Sequence, residues 1–295
     1  MAATAGYVQK LGAAVKKVAG KRGSSWYTPH MAAATRAIME RIPLVDLVVE
    51  VRDARVPLSS EYELLRNFPH SLRHIILLNK MDLASRPQLK VWRAYFEQQN
   101  LISYEVNAHN KEHVKEIGSH PNIYVLDTPG VLPPMIPDAE VYSKLALTGA
   151  INDCLIGESE LAQYFLAIHN LSDEYKKWAK LSMNHSEKIT VDGMETSSDS
   201  ELDKRRKQYA TDHTQDFVVH DVRRTLFETV SSFPGNPEAG KDLVELIEAQ
   251  FSELQKAFKV LVDTQARTKV AAKLLNLYRT GRLGHYTLDS IPRNS

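Results

Sequence analysis

Three short stretches combine residue types that can hold a ligand as well as a fold. Asn79-Lys80-Met81-Asp82 leaves an apolar run and enters a polar turn. A carboxylate at its last position can accept two hydrogen bonds from adjacent N–H donors, an arrangement that the N1 and exocyclic amino groups of guanine supply and adenine does not. The Asn amide can meet the other edge of a purine, and the Lys stem can cover its ring. Asp127-Thr128-Pro129-Gly130 ends a second apolar run, where an Asp suits a Mg²⁺-bound water and a Gly lets backbone N–H approach a terminal phosphate. Asn107-Ala108-His109 leaves a third run, where a backbone N–H can bond a base carbonyl. Taken singly, each stretch is equally what a capped or Pro-containing turn looks like.

These stretches need strands to position them. Val45 to Val51, His74 to Leu78, Ile102 to Val106 and Ile123 to Leu126 read as strands. Tyr62 to Asn67 and Pro87 to Gln99 read as helices, the second with Leu89, Trp92, Tyr95 and Phe96 on one face. Strands alternating with helices predict an α/β sheet through about residue 130, with the three stretches at the strand exits where open α/β sheets bind ligands. After Pro137 the strand pattern stops. Stripes at helical spacing follow, such as Leu161, Tyr164, Phe165 and Ile168, and Leu243, Leu246, Ile247, Phe251, Leu254 and Phe258, and they predict an all-helical second domain. Residues 185–212 are polar and carry Lys204-Arg205-Arg206-Lys207 beside Asp199, Glu201 and Asp203, which reads as a mobile, solvated loop.

The order of the motifs is unusual. In ordinary GTPases the DxxG sequence precedes NKxD, whereas here Asn79 precedes Asp127. In this order the chain resembles the circularly permuted GTPases that assist assembly of the large ribosomal subunit, above all their mitochondrial DAR branch. Trp26-Tyr27-Thr28-Pro29-His30-Met31 is similar to the family's N-terminal signature, with Pro29 in place of Gly. Asp53-Ala54-Arg55 is the DAR tripeptide, and Leu274 to Asp289 is similar to the C-terminal end of the mitochondrial members. The resemblance implies a GTP-hydrolysing protein that uses GTP and Mg²⁺. Asn79, Lys80, Asp82, Asn107 and Ala108 would face the nucleotide base, Gly130 the terminal phosphate, and Asp127 the metal. It also implies the mitochondrial large ribosomal subunit and its RNA as partners, and a monomer in the matrix, free or associated with the inner membrane.

One part of the family pattern is missing. Its phosphate-binding loop, the following helix and the switch threonine belong between Asn107-Ala108-His109 and Asp127, but only residues 110–122 lie there before the expected fourth strand. A strand, loop, helix and second strand need roughly 30 residues or more. Gly235 to Asp242 has GxxxxGK spacing, yet Asp242 stands where Ser or Thr must ligate Mg²⁺, and the stretch reads as a loop opening a helix. The expected fold class is therefore α/β: an incomplete circularly permuted P-loop-type G domain at 26–136, then a helical domain at 137–295. Without a backbone cradle and its Lys, base contacts worth about 1 kcal/mol each cannot replace the lost phosphate grip, so GTP binding and hydrolysis are expected to be impaired. Val131 also stands where ordinary GTPases place the water-orienting Gln. The alternatives are a ribosome- or RNA-binding protein without nucleotide turnover and a non-functional transcript variant.

The charge pattern points to the ends of the chain. The formal net charge is +1, but residues 40–263 hold 25 basic against 35 acidic residues. The first 39 residues carry six basic residues and no acid, and 264–288 carry five and none. At the N-terminus, Tyr7, Val8, Leu11, Ala14, Val15 and Val18 share a helical face opposite Lys10, Lys17 and Lys21. Residues 1–25 thus read as a mitochondrial targeting segment. Near the C-terminus, Lys269, Lys273, Arg279 and Arg282 are the expected RNA contacts, with Tyr278 placed to stack on a base. A single cysteine excludes an internal disulfide, and no run of about 18 apolar residues marks a stable membrane span.

Overall fold

The structure is a computed structural model that describes residues 2–21, 27, 29–67, 73–110, 125–128, 130, 136–151, 157–181 and 213–292. The mobile loop expected at 185–212, Trp26 and Val131 lie outside the described residues. Among those described, no helix is long and apolar enough to cross a membrane. The chain divides into two compact units, one of residues 1–11 and 158–278 and the other of residues 12–157 and 279–295. The sheet-bearing unit thus extends past the expected boundary at 136 and includes the C-terminal tail.

That second unit is built on three parallel strands in the order β1 (Leu47–Asp53), β2 (Arg73–Asn79) and β3 (Ile102–Glu105). Helix α3 (Arg86–Gln98) makes the crossover from β2 to β3. It buries Leu89, Trp92 and Phe96 against Ile76, Leu78, Ala54 and Ala84. Trp92 meets Tyr95 edge-on at 5.4 Å and Phe96 at 5.6 Å, a packing of rings that adds to the area each one hides from water. Pro87 sits in the first turn of α3, where its missing N–H costs nothing.

On the opposite face Leu77 of the central strand is buried, but the flanking strands are open among the described residues. Alternate residues of a strand share a face, and Leu47, Val49 and Val51 of β1 are all exposed, as are Ile102 and Tyr104 of β3. Parallel sheets ordinarily have both faces covered by their crossovers. The strand expected at Ile123–Leu126 is also absent where it is described: Val125 and Leu126 are 81% and 60% exposed and unpaired, and residues 123–124 lie outside the described set.

Helix α1 (Ala2–Lys21) buries Leu11 and Val15. Its Gly12 carbonyl accepts a hydrogen bond from Ser143 Oγ at 3.1 Å. Helix α2 (Pro29–Arg41) follows, with Tyr27 Oη 2.9 Å from Thr35 Oγ1. Helix α4 (Ala139–Leu147) starts on Asp138, whose carboxylate accepts from the backbone N–H of Glu140 and Val141, as an N-cap should.

The other unit contains α5 (Glu158–Leu171), α6 (His213–Ser232), α7 (Gly240–Ala257) and α8 (Ala266–Arg279) through Tyr278. Asn170 and Gln250 exchange two amide hydrogen bonds of 2.8 Å in its interior, which satisfies polar groups that burial would otherwise penalise. His169 stacks between Phe165 and Trp178, and its complete burial lowers its pKa to about 3, so it stays neutral at physiological pH. The GxxxxGK-spaced stretch is the loop between α6 and α7, where Asp242 accepts the Asn236 N–H at 2.8 Å.

Leu89→Ala should destabilise the sheet unit by about 2–5 kcal/mol, because it empties a site between helix and sheet. Val51→Thr on the open face should change stability by no more than about 0.5 kcal/mol. Urea unfolding followed by circular dichroism measures both.

Candidate functional site

The parallel register sets Asp53 beside Asn79, so the exits of β1, β2 and β3 open on one edge of the sheet. At the exit of β2, Lys80 takes the left-handed conformation at φ 61°, which costs a non-glycine residue about 1 kcal/mol or more. The Asn79 side chain holds this turn. Its Oδ1 accepts the Lys80 N–H at 2.8 Å and the Ala108 N–H at 3.0 Å, tying the Asn79 stretch to the Asn107 stretch. The Met81 N–H donates to the Val106 carbonyl at 3.2 Å and closes the same junction from the backbone. With its oxygen engaged twice, the Asn79 amide has its NH₂ left as the donor for a purine acceptor. Asp82 stands on this turn exposed to solvent.

Asn107 caps its own loop by accepting the His109 N–H at 2.9 Å. The Ala108 and His109 N–H groups are therefore both engaged within the protein, which the sequence did not indicate. Asp127 and Gly130 are exposed, and no hydrogen bond joins Asp127 to another described residue. No group of three His, Cys, Asp or Glu side chains gathers among the described residues. The residues present fit a purine base at Asn79, Lys80 and Asp82, while the Ala108 N–H expected to meet the base is taken up by Asn79; among the described residues no Mg²⁺ donor set gathers around Asp127.

Asp53 is the charged centre of the edge. Arg55 donates to it from Nε at 2.9 Å, from Nη2 at 2.7 Å and from its backbone N–H at 3.0 Å. Lys80 Nζ lies 3.0 Å from the same carboxylate. Burial works to raise the Asp53 pKa, but the Arg55 hydrogen bonds and the charges of Arg55 and Lys80 outweigh it and hold the group below its ordinary value. Glu50, three residues earlier and on the other face of β1, is balanced in the same way. Its burial is offset by His74 at 3.0 Å, Arg52 at 2.7 Å and the Tyr62 N–H at 2.7 Å, and its pKa is lowered. A carboxyl whose folded pKa is depressed stabilises the fold above the ordinary carboxylate range, and that contribution is lost as pH falls through the folded pKa.

The loop after the DAR tripeptide is held by the C-terminal tail. Asp289 accepts the backbone N–H of Leu58 and Ser59 at 2.8 Å each and the Ser59 hydroxyl at 2.6 Å, while Lys144 Nζ lies at 3.2 Å. The Leu288 N–H donates to the Arg55 carbonyl at 2.7 Å. Burial works to lower the Lys144 pKa, but Asp289 and Glu140 raise it overall, so Lys144 stays charged. The sequence contained one sign of this: Asp289 is the lone acid that ends a 25-residue acid-free stretch.

At the expected RNA surface the four cations part company. Lys269 and Lys273 are exposed on α8, Lys269 paired to Asp263 at 2.5 Å and Lys273 donating to the Phe258 carbonyl at 3.2 Å. Arg279 does not project outward as expected. It donates to the carbonyls of Leu147 at 3.0 Å and Ala146 at 2.9 Å, closing the C-terminus of α4, where free carbonyls favour a cation. Arg282 is half-buried. Tyr278 is buried against Phe165 at 4.7 Å, because the apolar stripe of α8 that includes Val270 and Leu274 runs through it, so it offers no face to a base.

No family model matches the chain. Among curated proteins it is 45% identical to "DAR GTPase 2, mitochondrial" of Arabidopsis thaliana, over 96% of this chain and 95% of that protein. "Ribosome biogenesis GTPase A" of Bacillus pumilus is 27% identical over 52% of this chain and 78% of its own length. A solved GNP-bound YlqF from T. maritima covers 88% of this chain and all of its own, with 20% identity and a TM-score of 0.41. The chain belongs to the family of circularly permuted DAR GTPases. Its alignment with the Arabidopsis protein spans 360 positions; 96% of 295 residues is about 283, so about 77 of those positions face no residue of this chain.

Asp289→Ala should cost about 2–4 kcal/mol, since it leaves the Leu58 and Ser59 N–H groups without their acceptor and Lys144 with Glu140 as its remaining carboxylate. Lys80→Met, at a half-exposed pair, should cost under about 1 kcal/mol. Denaturant titration of the two variants distinguishes these magnitudes.

Proposed function

We propose that this chain is a mitochondrial ribosome-assembly protein whose nucleotide site keeps the part that reads guanine and lacks the part that grips phosphate. The observation that carries the reading is the Asn79 side chain bonded to both Lys80 and Ala108, with Asp82 exposed on the same turn. An Asp carboxylate so placed can accept from the guanine N1 and amino groups, while the Asn79 NH₂ and the Lys80 stem meet the other edge and the ring face. Relatives named as mitochondrial and ribosome-biogenesis GTPases support the assembly role and the mitochondrial location.

On this reading the positions of the Arabidopsis alignment that face no residue of this chain are the phosphate loop, which the family's motif order sets between Asn107 and Asp127. Phosphates carry most of a nucleotide's charge, and a helix N-terminus with its Lys is what ordinarily receives them. GTP and GDP should therefore bind at near-millimolar levels, little more tightly than guanosine monophosphate, and turnover should be negligible. Calorimetry with each nucleotide tests this. Asp82→Asn should abolish the preference for guanine over adenine, and micromolar, Mg²⁺-dependent GTP binding would overturn the proposal.

The RNA contact of the assembly role is assigned to the exposed Lys269 and Lys273. Replacing both with Ala should weaken binding to ribosomal RNA and reduce its salt slope by somewhat under one unit per lost phosphate contact, with the melting temperature little changed. An unchanged slope in a folded double variant would remove α8 as the contact.

A further inference from the structure

We infer that Asp53, the first residue of the DAR tripeptide, is a positioning residue for guanine: it holds the Lys80 ammonium across the strand exits, so that the Lys80 stem forms a preset floor for the purine ring. The inference rests on the guanine reading of the site and adds to it a role for a residue that contacts no base itself.

The geometry carries the argument in three steps. Asp53 and Asn79 are register partners on adjacent strands, so the carboxylate that ends β1 stands beside the residue that precedes Lys80. Lys80 takes its left-handed turn there, and its Nζ crosses to Asp53 Oδ2 at 3.0 Å. A four-carbon stem fixed at both ends lies along the sheet edge, whereas a free lysine samples many rotamers and would lose that freedom on being covered by a ring. The carboxylate is itself immobile. Arg55, 2% exposed, grips both of its oxygens and is fixed in turn by the Thr148 carbonyl at 3.0 Å. Asp53 is only 13% exposed while Lys80 is 46% exposed, so the acceptor is built into the fold and the apolar stem is what solvent, or a base, meets.

In this arrangement Asp53 acts through Lys80, and the two residues should not contribute independently to base binding. The test uses the full chain with guanosine monophosphate and adenosine monophosphate as probes, followed by calorimetry or ligand-observed NMR. Asp53→Asn should weaken guanosine monophosphate binding about two- to fivefold, the range expected of a partly exposed ion pair. Lys80→Met should do the same, and the double variant should lose no more than Lys80→Met alone. Losses that multiply in the double variant, or unchanged affinity in a folded Asp53→Asn protein, overturn the inference.

Should Asp53→Asn fail to fold through loss of its Arg55 partner, the wild-type protein still decides the matter. The Lys80 ammonium should give a ¹⁵N signal protected from solvent exchange, and the signal should shift on adding guanosine monophosphate. A freely exchanging ammonium refutes the inference. A wild-type protein without any preference for the guanine nucleotide would instead refute the reading of the site, and the ammonium signal would then report on the Asp53–Lys80 contact alone.

Discussion

The site depends on the parallel register of three short strands. Because β1, β2 and β3 run the same way, with Asp53 opposite Asn79 and Leu78 opposite Glu105, their C-terminal exits share one edge. Residues 53, 79–82 and 107–109, far apart in the chain, become neighbours there. Slipping β2 by one residue would turn Ile76 and Leu78 out of the contact with α3 and move Asn79 to the other face, so the core and the site are specified together.

Charge at that edge is handled by enclosure in donors. Glu50, Asp53 and Asp289 are buried carboxylates, and each is surrounded by hydrogen-bond donors from Arg, Lys, Ser or backbone N–H. Enclosure lets a buried carboxylate stay ionised, and it makes each one rigid. The tail from Leu283 to Asp289 is thus a structural component of the strand-exit loops. It explains why residues 279–289, the later part of the segment that resembles the family's C-terminal end, fold with the sheet-bearing unit.

The two faces of the sheet differ. An α/β sheet is stable as a layer that buries its apolar side chains against helices. The face that α3 covers has a closely packed core of Ile76, Leu78, Leu89, Trp92 and Phe96. On the other face Val49, Val51 and Tyr104 are exposed, as are Val125 and Leu126 beyond the sheet.

Local chemistry made much of this legible in the sequence. The alternation of apolar residues marked β1, β2 and β3 to within two residues, the stripe of Leu89, Trp92 and Phe96 marked α3, and the order of Asn79 and Asp127 marked the family. Those signals are carried by residues whose neighbours lie within a turn or a strand of them. The fate of individual polar side chains was not legible. Arg279 and Lys273 are both cations of one helix, yet only packing determined that Arg279 should close the end of α4 while Lys273 stays exposed. Tyr278 looked like a stacking ring and became core; Ile123–Leu126 looked like a strand and, where described, lacks a partner. Sequence determined which residues could form an element or bear a charge, because those are local properties. Tertiary structure alone decided which carboxylate would meet which cation, because a hydrogen bond of 3 Å between Asp53 and Lys80 exists only once two strands have been set side by side.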